Sequence, residues 1–147
     1  MPSITRSPTV AVNDSALGAV DWSDQNNVFT SDNQRASALL AAGEVSRYLR
    51  VSGFDFSSIP GGAIIRGIRV SVERGFATSV FDESLRLYKS GLGFVGDNKA
   101  SGTEWPGSEV IVTYGSETDL WGTTWSRDDV VNLLQFGIAV RNTHGTN

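Results

Sequence analysis

The stretch from Tyr48 to Arg74 reads YLRVSGFDFSSIPGGAIIRGIRVSVER, and its pattern decides the fold class. Two runs rich in Val, Ile, Phe and Tyr lie on either side of the sequence Pro60-Gly61-Gly62. Those side chains fit a pleated, half-buried surface, whereas Pro-Gly-Gly marks a turn or loop. The stretch therefore predicts two β-strands joined by a turn.

The second of these strands shows the clearest alternation. After Gly67 the sequence IRVSVE places apolar and polar residues in turn, which is typical of a strand with one face in a core and one in water. We predict that this strand covers residues 63–77. Strict alternation would put Arg66 on the same face as Ile68, and a β-bulge at Gly67 is predicted to resolve that conflict.

Short runs of β-forming residues recur along the chain between turn-forming clusters. The further predicted strands are residues 9–12, 27–30, 35–42, 45–56, 84–89, 110–114 and 136–141. Residues 35–42, RASALLAA, would also suit a helix, and we favour a strand because the neighbouring segments are strands. Ser126 is predicted to be the N-cap of a short helix that runs to about Leu134.

These elements predict an all-β protein: a single jelly-roll-like antiparallel β-sandwich of about seven or eight strands, with one short helix near the C-terminus. Residues 1–8 are predicted to be a flexible N-terminal arm, residues 9–141 the β-sandwich domain, and residues 142–147 a disordered C-terminal tail. The length of 147 residues is typical of one domain with a core of its own.

Composition excludes several function classes. The chain has no Cys, which excludes disulfides and thiolate metal sites, and its net charge of −4 disfavours a dedicated nucleic-acid binder. We see no secretory signal and no apolar run as long as a membrane span. His144 is the only histidine, and its predicted place in the tail would leave a catalytic imidazole without a fixed orientation.

Acidic residues give no catalytic or metal signature. The carboxylates near predicted strand ends are Asp55, Asp82, Glu83, Glu117 and Asp119, and nothing in the local sequence selects a catalytic pair among them. We expect no enzymatic activity and no cofactor. Calcium is the one ion left open, because residues 21–24 and 97–98 offer oxygen ligands, although Asx-turns explain them equally well.

Aromatic and arginine side chains supply the candidate contact residues. Trp105 precedes a Pro-Gly turn in a long loop and, with Tyr114, is a candidate for stacking on a sugar. Trp121 and Trp125 are assigned to the core. The arginines near the middle strands, at positions 47, 50, 66, 69, 74 and 86, are interpreted as ordinary solvated strand faces or as a polar face that docks on another protein.

On that polar face, Arg69 and Glu73 are the candidate partner contacts, since both belong to the outward half of the alternating strand. Ser71, between them in the same pattern, would share the face.

Several blocks taken together are similar to a known group of proteins. These blocks are the opening stretch, SLRLYKSG at 84–91, VTYGSETDLWGTTWSRDDV at 112–130 and FGIAV at 136–140. In their order, over residues 45–141, they resemble β-sandwich (jelly-roll) structural proteins of tailed-phage virions, of the capsid decoration or cement type. The resemblance implies no catalytic residues.

The resemblance implies a non-enzymatic protein that binds and stabilises the assembled head. Its implied partner is the major capsid protein, and its implied location is the virion, which is assembled in the host cytoplasm. The alternative is a carbohydrate-binding, host-attachment module of a tail fibre or capsid. In the resembling proteins a further apolar strand follows FGIAV, whereas this chain ends six residues after Arg141. We therefore expect residues 9–12 to fill that place or a neighbouring copy to cover an edge, which favours a homo-oligomer, with a trimer as first candidate.

Overall fold

The computed structural model describes residues 3–14, 20–29, 35–75, 79–89, 94–132 and 135–144. Seven strands, one short α-helix and one 3-10 helix lie in these ranges. They are β1 (Val10–Asp14), a 3-10 helix (Gln25–Phe29), β2 (Tyr48–Ser52), β3 (Arg69–Arg74), β4 (Val80–Tyr88), β5 (Phe94–Val95), β6 (Val110–Gly115), α1 (Arg127–Val131) and β7 (Gly137–His144).

The strands form two antiparallel sheets. One has five strands in the order β1-β2-β7-β4-β5, and the other pairs β3 with β6. β7 lies in the middle of the larger sheet, where Val140 is opposite Leu49 of β2 on one side and Leu85 of β4 on the other. This arrangement confirms the predicted all-β sandwich.

The core lies between the two sheets, where the inward halves of the strands meet. Leu85 and Leu87 of β4 are completely buried, and Val70 of β3 faces them from the smaller sheet as part of one apolar cluster. Trp121 and Trp125 belong to the same cluster, so the prediction that they serve the core is confirmed. Apolar burial of this kind is the main stabilising contribution in a protein of this size.

The short helix begins as predicted. Ser126 is the N-cap of α1, its hydroxyl accepts a hydrogen bond from the Asp129 backbone, and the Asp129 carboxylate accepts one from the Ser126 backbone. This reciprocal capping box satisfies two backbone donors that would otherwise lack partners. The helix ends at Val131, and Leu134, its predicted end, lies outside the described residues.

The alternating strand is shorter than predicted, and the bulge at Gly67 is wrong. β3 begins at Arg69, so Gly67 lies before the strand and has no ladder in which to form a bulge. The structure gives a different reason for glycine at this position. A Cβ there would lie 2.3 Å from the carbonyl carbon of Glu117, because the two backbone segments cross in close contact. The predicted end at Ala77 falls outside the described residues.

Two other predicted strands are wrong. Residues 27–29 belong to the 3-10 helix, whose turn is closed by a hydrogen bond from the Asn27 backbone to the carbonyl of Asp24, and Thr30 lies outside the described residues. Residues 35–42 have only an isolated bridge, between Ser37 and Ser23. Leu39 is 91% exposed, so this segment is neither a buried strand nor part of either sheet.

The C-terminal end differs from the predicted tail. β7 continues to His144, whose backbone N–H donates to the carbonyl of Glu44, and Asn142 is buried. His144 is therefore held in a strand, while residues 145–147 lie outside the described part. The larger sheet also shows which strands lie beside the FGIAV segment. β7 is paired on both sides, and β1 adds the outer strand beyond β2.

We expect Gly67→Ala to lower the free energy of unfolding by about 1–3 kcal/mol, the usual cost of forcing extra volume into a packed site. The added methyl group would meet backbone atoms of Ser116 and Glu117, which cannot move as a flexible side chain can. Gly61→Ala is the matched control, because a Cβ at Gly61 meets no atom within 4 Å. Urea unfolding followed by tryptophan fluorescence measures both, and equal stability of the two variants would contradict the close crossing.

Candidate functional site

The most concentrated group of polar side chains surrounds Asp82, at the start of β4. One oxygen of its carboxylate accepts hydrogen bonds from Arg74 at 2.9 Å and from the indole nitrogen of Trp105 at 2.8 Å. The other accepts from the hydroxyl of Tyr114 at 2.5 Å and from the backbone of Ser101 at 2.9 Å. We call these five residues the Asp82 cluster.

A β-bulge brings Asp82 to the interior. Asp82 is opposite Asn142 and Ser84 is opposite Arg141, so β4 has one residue more than β7 between these pairs. In a regular strand, Asp82 and Ser84 would point to the same face, because they are two residues apart and side chains alternate along a strand. The bulge instead turns the carboxylate inward, toward β3 and β6.

The charges in the cluster are almost completely removed from water. The side chains of Arg74 and Asp82 are 4% and 1% exposed, and their pairing offsets part of the cost of burying each charge. Four hydrogen bonds to one carboxylate satisfy its acceptor capacity. Arg74 also donates to Tyr114, and its guanidinium lies 5.2 Å from the centre of the Trp105 ring. The interpretation of Arg74 as part of a solvated strand face is wrong.

Tyr114 is held in its neutral form. Burial, followed by the hydrogen bond to Asp82 and the charge of that carboxylate, raises the pKa of Tyr114 well above its usual value of 10.0. The hydroxyl therefore stays protonated and keeps donating to Asp82. The Tyr114 hydroxyl accepts a hydrogen bond from Arg74 and donates one to Asp82, and so links β6 to β3 and β4.

The four predicted contact residues fall into two separate places. Trp105 and Tyr114 meet at Asp82, with Tyr114 only 5% exposed and Trp105 partly buried. Arg69 and Glu73 lie on the outer side of β3, and Arg69 is 4.0 Å from Glu117. Contact of any of these residues with a ligand or partner stays a prediction.

The outer side of the β3–β6 sheet forms a continuous exposed surface. In the ladder, Ser71 is opposite Thr113 and Glu73 is opposite Ile111, and all four residues are exposed. With Arg69 they place one cation, one anion, two hydroxyl groups and one large apolar side chain on the same side. We call these five residues the outer β3–β6 face.

The outer side of the larger sheet is built differently, and sequence reasoning missed it. The guanidinium of Arg50 lies 4.2 Å from the ring centre of Tyr88, and that of Arg141 lies 4.9 Å from the ring centre of Tyr48. Phe94 of β5 packs on Tyr48 with ring centres 4.4 Å apart. These contacts cover the sheet with stacked arginine and aromatic side chains, an arrangement worth up to about 2 kcal/mol per pair where water is excluded.

Carboxylates complete this layer. Asp14 lies 3.2 Å from Arg50, and Glu83, at the bulge, lies 2.5 Å from Arg141. The hydrogen bond from Arg141 to Glu83 raises the pKa of Arg141. A sequence signal for the layer exists, since Tyr48 and Arg50 are two apart on one strand and must share a face.

The carboxylates near strand ends are used in structural contacts. Hydrogen bonds from Ser57 lower the pKa of Asp55, and the hydrogen bond from Lys99, at 2.6 Å, lowers the pKa of Asp119. A general acid needs its pKa raised, so both shifts have the wrong direction for that role. Glu117 lies near Arg69 on the surface.

An open cleft of about 480 Å³ lies between the two sheets, beside the edge of β3 that faces away from β6. Its walls include Leu49, Val51, Leu87, Phe136, Ile138 and Val140 from the larger sheet. Residues 4–8 of the N-terminal arm line the same cleft, with Ile4 and Pro8 half-buried and Arg6 donating to Ser58. The described part of the arm thus lies against the domain.

Metal binding has little support in the described ranges. They contain no group of three or more His, Cys, Asp or Glu side chains that could hold an ion. In the two loops considered for calcium, Asp21 lies 2.7 Å from Arg47 and Asp97 lies 3.7 Å from Lys99. Within these same ranges no helix is long and apolar enough to span a membrane.

Comparison of the chain with protein-family models, with curated proteins and with solved structures found no match. The fold and its surfaces therefore carry the functional argument.

We expect Tyr114→Phe to lower the free energy of unfolding by about 1.5–3 kcal/mol, the range for hydrogen bonds to charged groups. The change removes the hydroxyl that links Arg74 and Asp82 and leaves both charges buried. Tyr48→Phe is the matched control, since its hydroxyl donates to the neutral Ser84, and about 0.5–1.5 kcal/mol is expected. Chemical unfolding at neutral pH measures both, and an equal loss in the two variants would contradict a special role for the Asp82 cluster.

Alkaline pH should weaken the fold through Tyr114. Because the pKa of Tyr114 is raised in the folded state, the unfolded state loses this proton first as pH rises above about 10, and the free energy of unfolding then falls. This contribution is fully present below the pKa of the unfolded tyrosine. Thermal unfolding between neutral pH and pH about 11 should show a shallower decline for Tyr114→Phe than for the wild type or Tyr48→Phe. Identical slopes would refute the raised pKa.

Proposed function

We propose that the protein is a non-enzymatic structural protein of a tailed-phage virion, a capsid decoration protein that binds the assembled head. The β-sandwich agrees with what the sequence resemblance implies. Within the Asp82 cluster the carboxylate and the Tyr114 hydroxyl are paired with each other and with Arg74, which supports a role carried by the surface and not by catalysis.

The observation that carries the proposal is the outer β3–β6 face. Its five side chains are exposed on one side of a small sheet, and Ile111 is 67% exposed among polar neighbours. An apolar group surrounded by polar and charged residues is a common composition for a protein–protein interface. Single exposed apolar residues occur on most proteins, and here the position on a regular strand pair adds flatness and fixed spacing.

The mechanism is stabilisation by repeated binding. A protein that binds the assembled lattice and not its separated subunits lowers the free energy of the assembled state. When each oligomer contacts several lattice subunits, modest single-site affinities combine into slow dissociation. The major capsid protein is the proposed partner, and the proposed form is a homo-oligomer located in the virion.

The carbohydrate-binding alternative is less well supported. A sugar stacks on an aromatic ring that is exposed on one side, whereas Tyr114 is buried and Trp105 uses its indole nitrogen on Asp82. The outer β3–β6 face has no aromatic side chain. A glycan array with the wild-type protein distinguishes the alternatives, since a decoration protein should give no sugar signal.

Charge reversal on the outer face tests the proposal. We expect the double variant Arg69→Glu, Glu73→Lys to bind heads prepared without the protein at least about tenfold more weakly than wild type, a difference of about 1.4 kcal/mol. The control is Arg66→Glu, an exposed arginine in the loop before β3. The measurement is co-sedimentation with heads of the phage that encodes the chain, with copy number from quantitative mass spectrometry.

Wild-type protein should reach hundreds of copies per head under the decoration model, whereas a tail component would be present in only a few. A few copies on intact virions, or wild-type binding by the double variant, would contradict the proposal in its stated form.

A further inference from the structure

The outer edge of β6 has the features of an interface strand. β6 reads VIVTYG and pairs along its whole length with β3, from Val110 opposite Arg74 to Gly115 opposite Arg69. In the described part of the chain β6 has no partner strand on its other side. That side carries backbone donors and acceptors that a further strand can use.

The strand lacks the usual protection of a sheet edge. Soluble proteins place charged residues, Pro or bulges on exposed edges, and β6 has none of these among its six residues. Ile111 is 67% exposed and Val110 is 38% exposed. The nearest preceding charge, Glu109, lies 3.0 Å from Arg35 in an ion pair, so it is directed to the protein's own surface.

Other edges in the described ranges are less suited to accept a strand. β1 ends in Asn13 and Asp14, which hydrogen-bond to Trp22 and Arg50. β5 has only two residues. The free edge of β3 borders the cleft that the N-terminal arm also lines.

We propose that β6 pairs antiparallel with β6 of a second copy across a twofold axis, which gives a continuous four-stranded sheet β3-β6-β6-β3 through the dimer. A second copy is the occupant because antiparallel pairing of a strand with itself is self-complementary, as an isologous interface requires. An uncharged strand meets no like charge in that pairing. The inference concerns the isolated protein and does not rest on a role in the virion.

The pairing restricts which side chains meet. Opposite residues of an antiparallel ladder lie on the same face, and Ile111 and Thr113 belong to the outer β3–β6 face. Ile111 must therefore meet Ile111, Thr113 or Gly115 of the second copy, and part of its exposed surface becomes buried. The outer face then continues across the twofold axis with doubled area.

Molar mass in solution tests the proposal. Light scattering coupled to size-exclusion chromatography should give twice the chain mass of 15.8 kDa for wild type at micromolar concentration. Ile111→Lys should weaken the dimer at least about tenfold, since two lysines would approach across the axis. Ile64→Lys is the matched control, because Ile64 is 76% exposed in the loop before β3. Circular dichroism shows that each variant keeps its fold.

A monomeric wild type, a trimer, or equal weakening by Ile64→Lys would each overturn the β6 pairing. Val12→Lys, on the exposed side of β1, extends the control to another edge and should leave the dimer intact.

Cross-linking gives an independent readout that a destabilised variant cannot imitate. The chain has no Cys, so Ile111→Cys and Thr113→Cys introduce single thiols. Under mild oxidation, Ile111→Cys alone, Thr113→Cys alone or the mixture of the two should form a covalent dimer far faster than Ile64→Cys. Cross-linking no faster than that of Ile64→Cys in all three experiments would overturn the proposal.

Discussion

The buried contact between Arg74 and Asp82 is the constraint on which the rest of the structure depends. It joins the last residue of β3 to the start of β4, and Tyr114 brings in β6 through the same carboxylate. Trp105 and Ser101 attach the loop between β5 and β6 to this point. A two-stranded sheet is marginal by itself, and here one end of it is fixed to the larger sheet by charge-assisted hydrogen bonds. Removing either charged partner would leave the other buried without compensation, which commonly costs about 3–5 kcal/mol.

This arrangement separates the polar groups of the interior from the exposed strand surfaces. Inside the sandwich the Asp82 carboxylate accepts four hydrogen bonds, and the pKa of Tyr114 is raised so that its proton stays in place. On the larger sheet, arginines stacked on tyrosines and paired with Asp14 and Glu83 form a second internally satisfied layer. Among the described strands, the outer β3–β6 face and the adjacent edge of β6 are the exposed surfaces on which the two proposals rest. Both proposals, attachment to a capsid lattice and pairing of two copies, use this one region, and they share Ile111: pairing uses the backbone groups at the edge and buries part of Ile111, while Arg69, Ser71 and Glu73 stay on the outer face.

The sequence predicted the parts of the fold that depend on local pattern. Alternation in IRVSVE placed Val70 inward and Arg69 and Glu73 outward, and the Ser126 capping box marked the start of α1. The same alternation carries on to Arg74, which could have been placed inside from its spacing alone. The inward turn of Asp82 could not be predicted, because it depends on a bulge that appears only when β4 and β7 pair. Likewise, the glycine at position 67 was explained by a bulge, whereas the structure explains it by the close crossing with the backbone of Glu117. Residues 35–42 have helix-forming Ala and Leu, and the strand was predicted from the neighbouring segments; the structure gives them only an isolated bridge, so neither composition nor context was a guide to them.

One buried charge cluster holds the two sheets together, and a double-mutant cycle on Arg74→Met and Asp82→Asn tests this role most directly. Each single change leaves an unpaired polar or charged group in the interior, whereas the double change removes the charge of both. We predict that the double variant loses less free energy of unfolding than the two single variants lose in sum. The difference should be about 2 kcal/mol or more in urea unfolding. Losses that add to within about 0.5 kcal/mol would show that the two side chains act independently and would contradict this account.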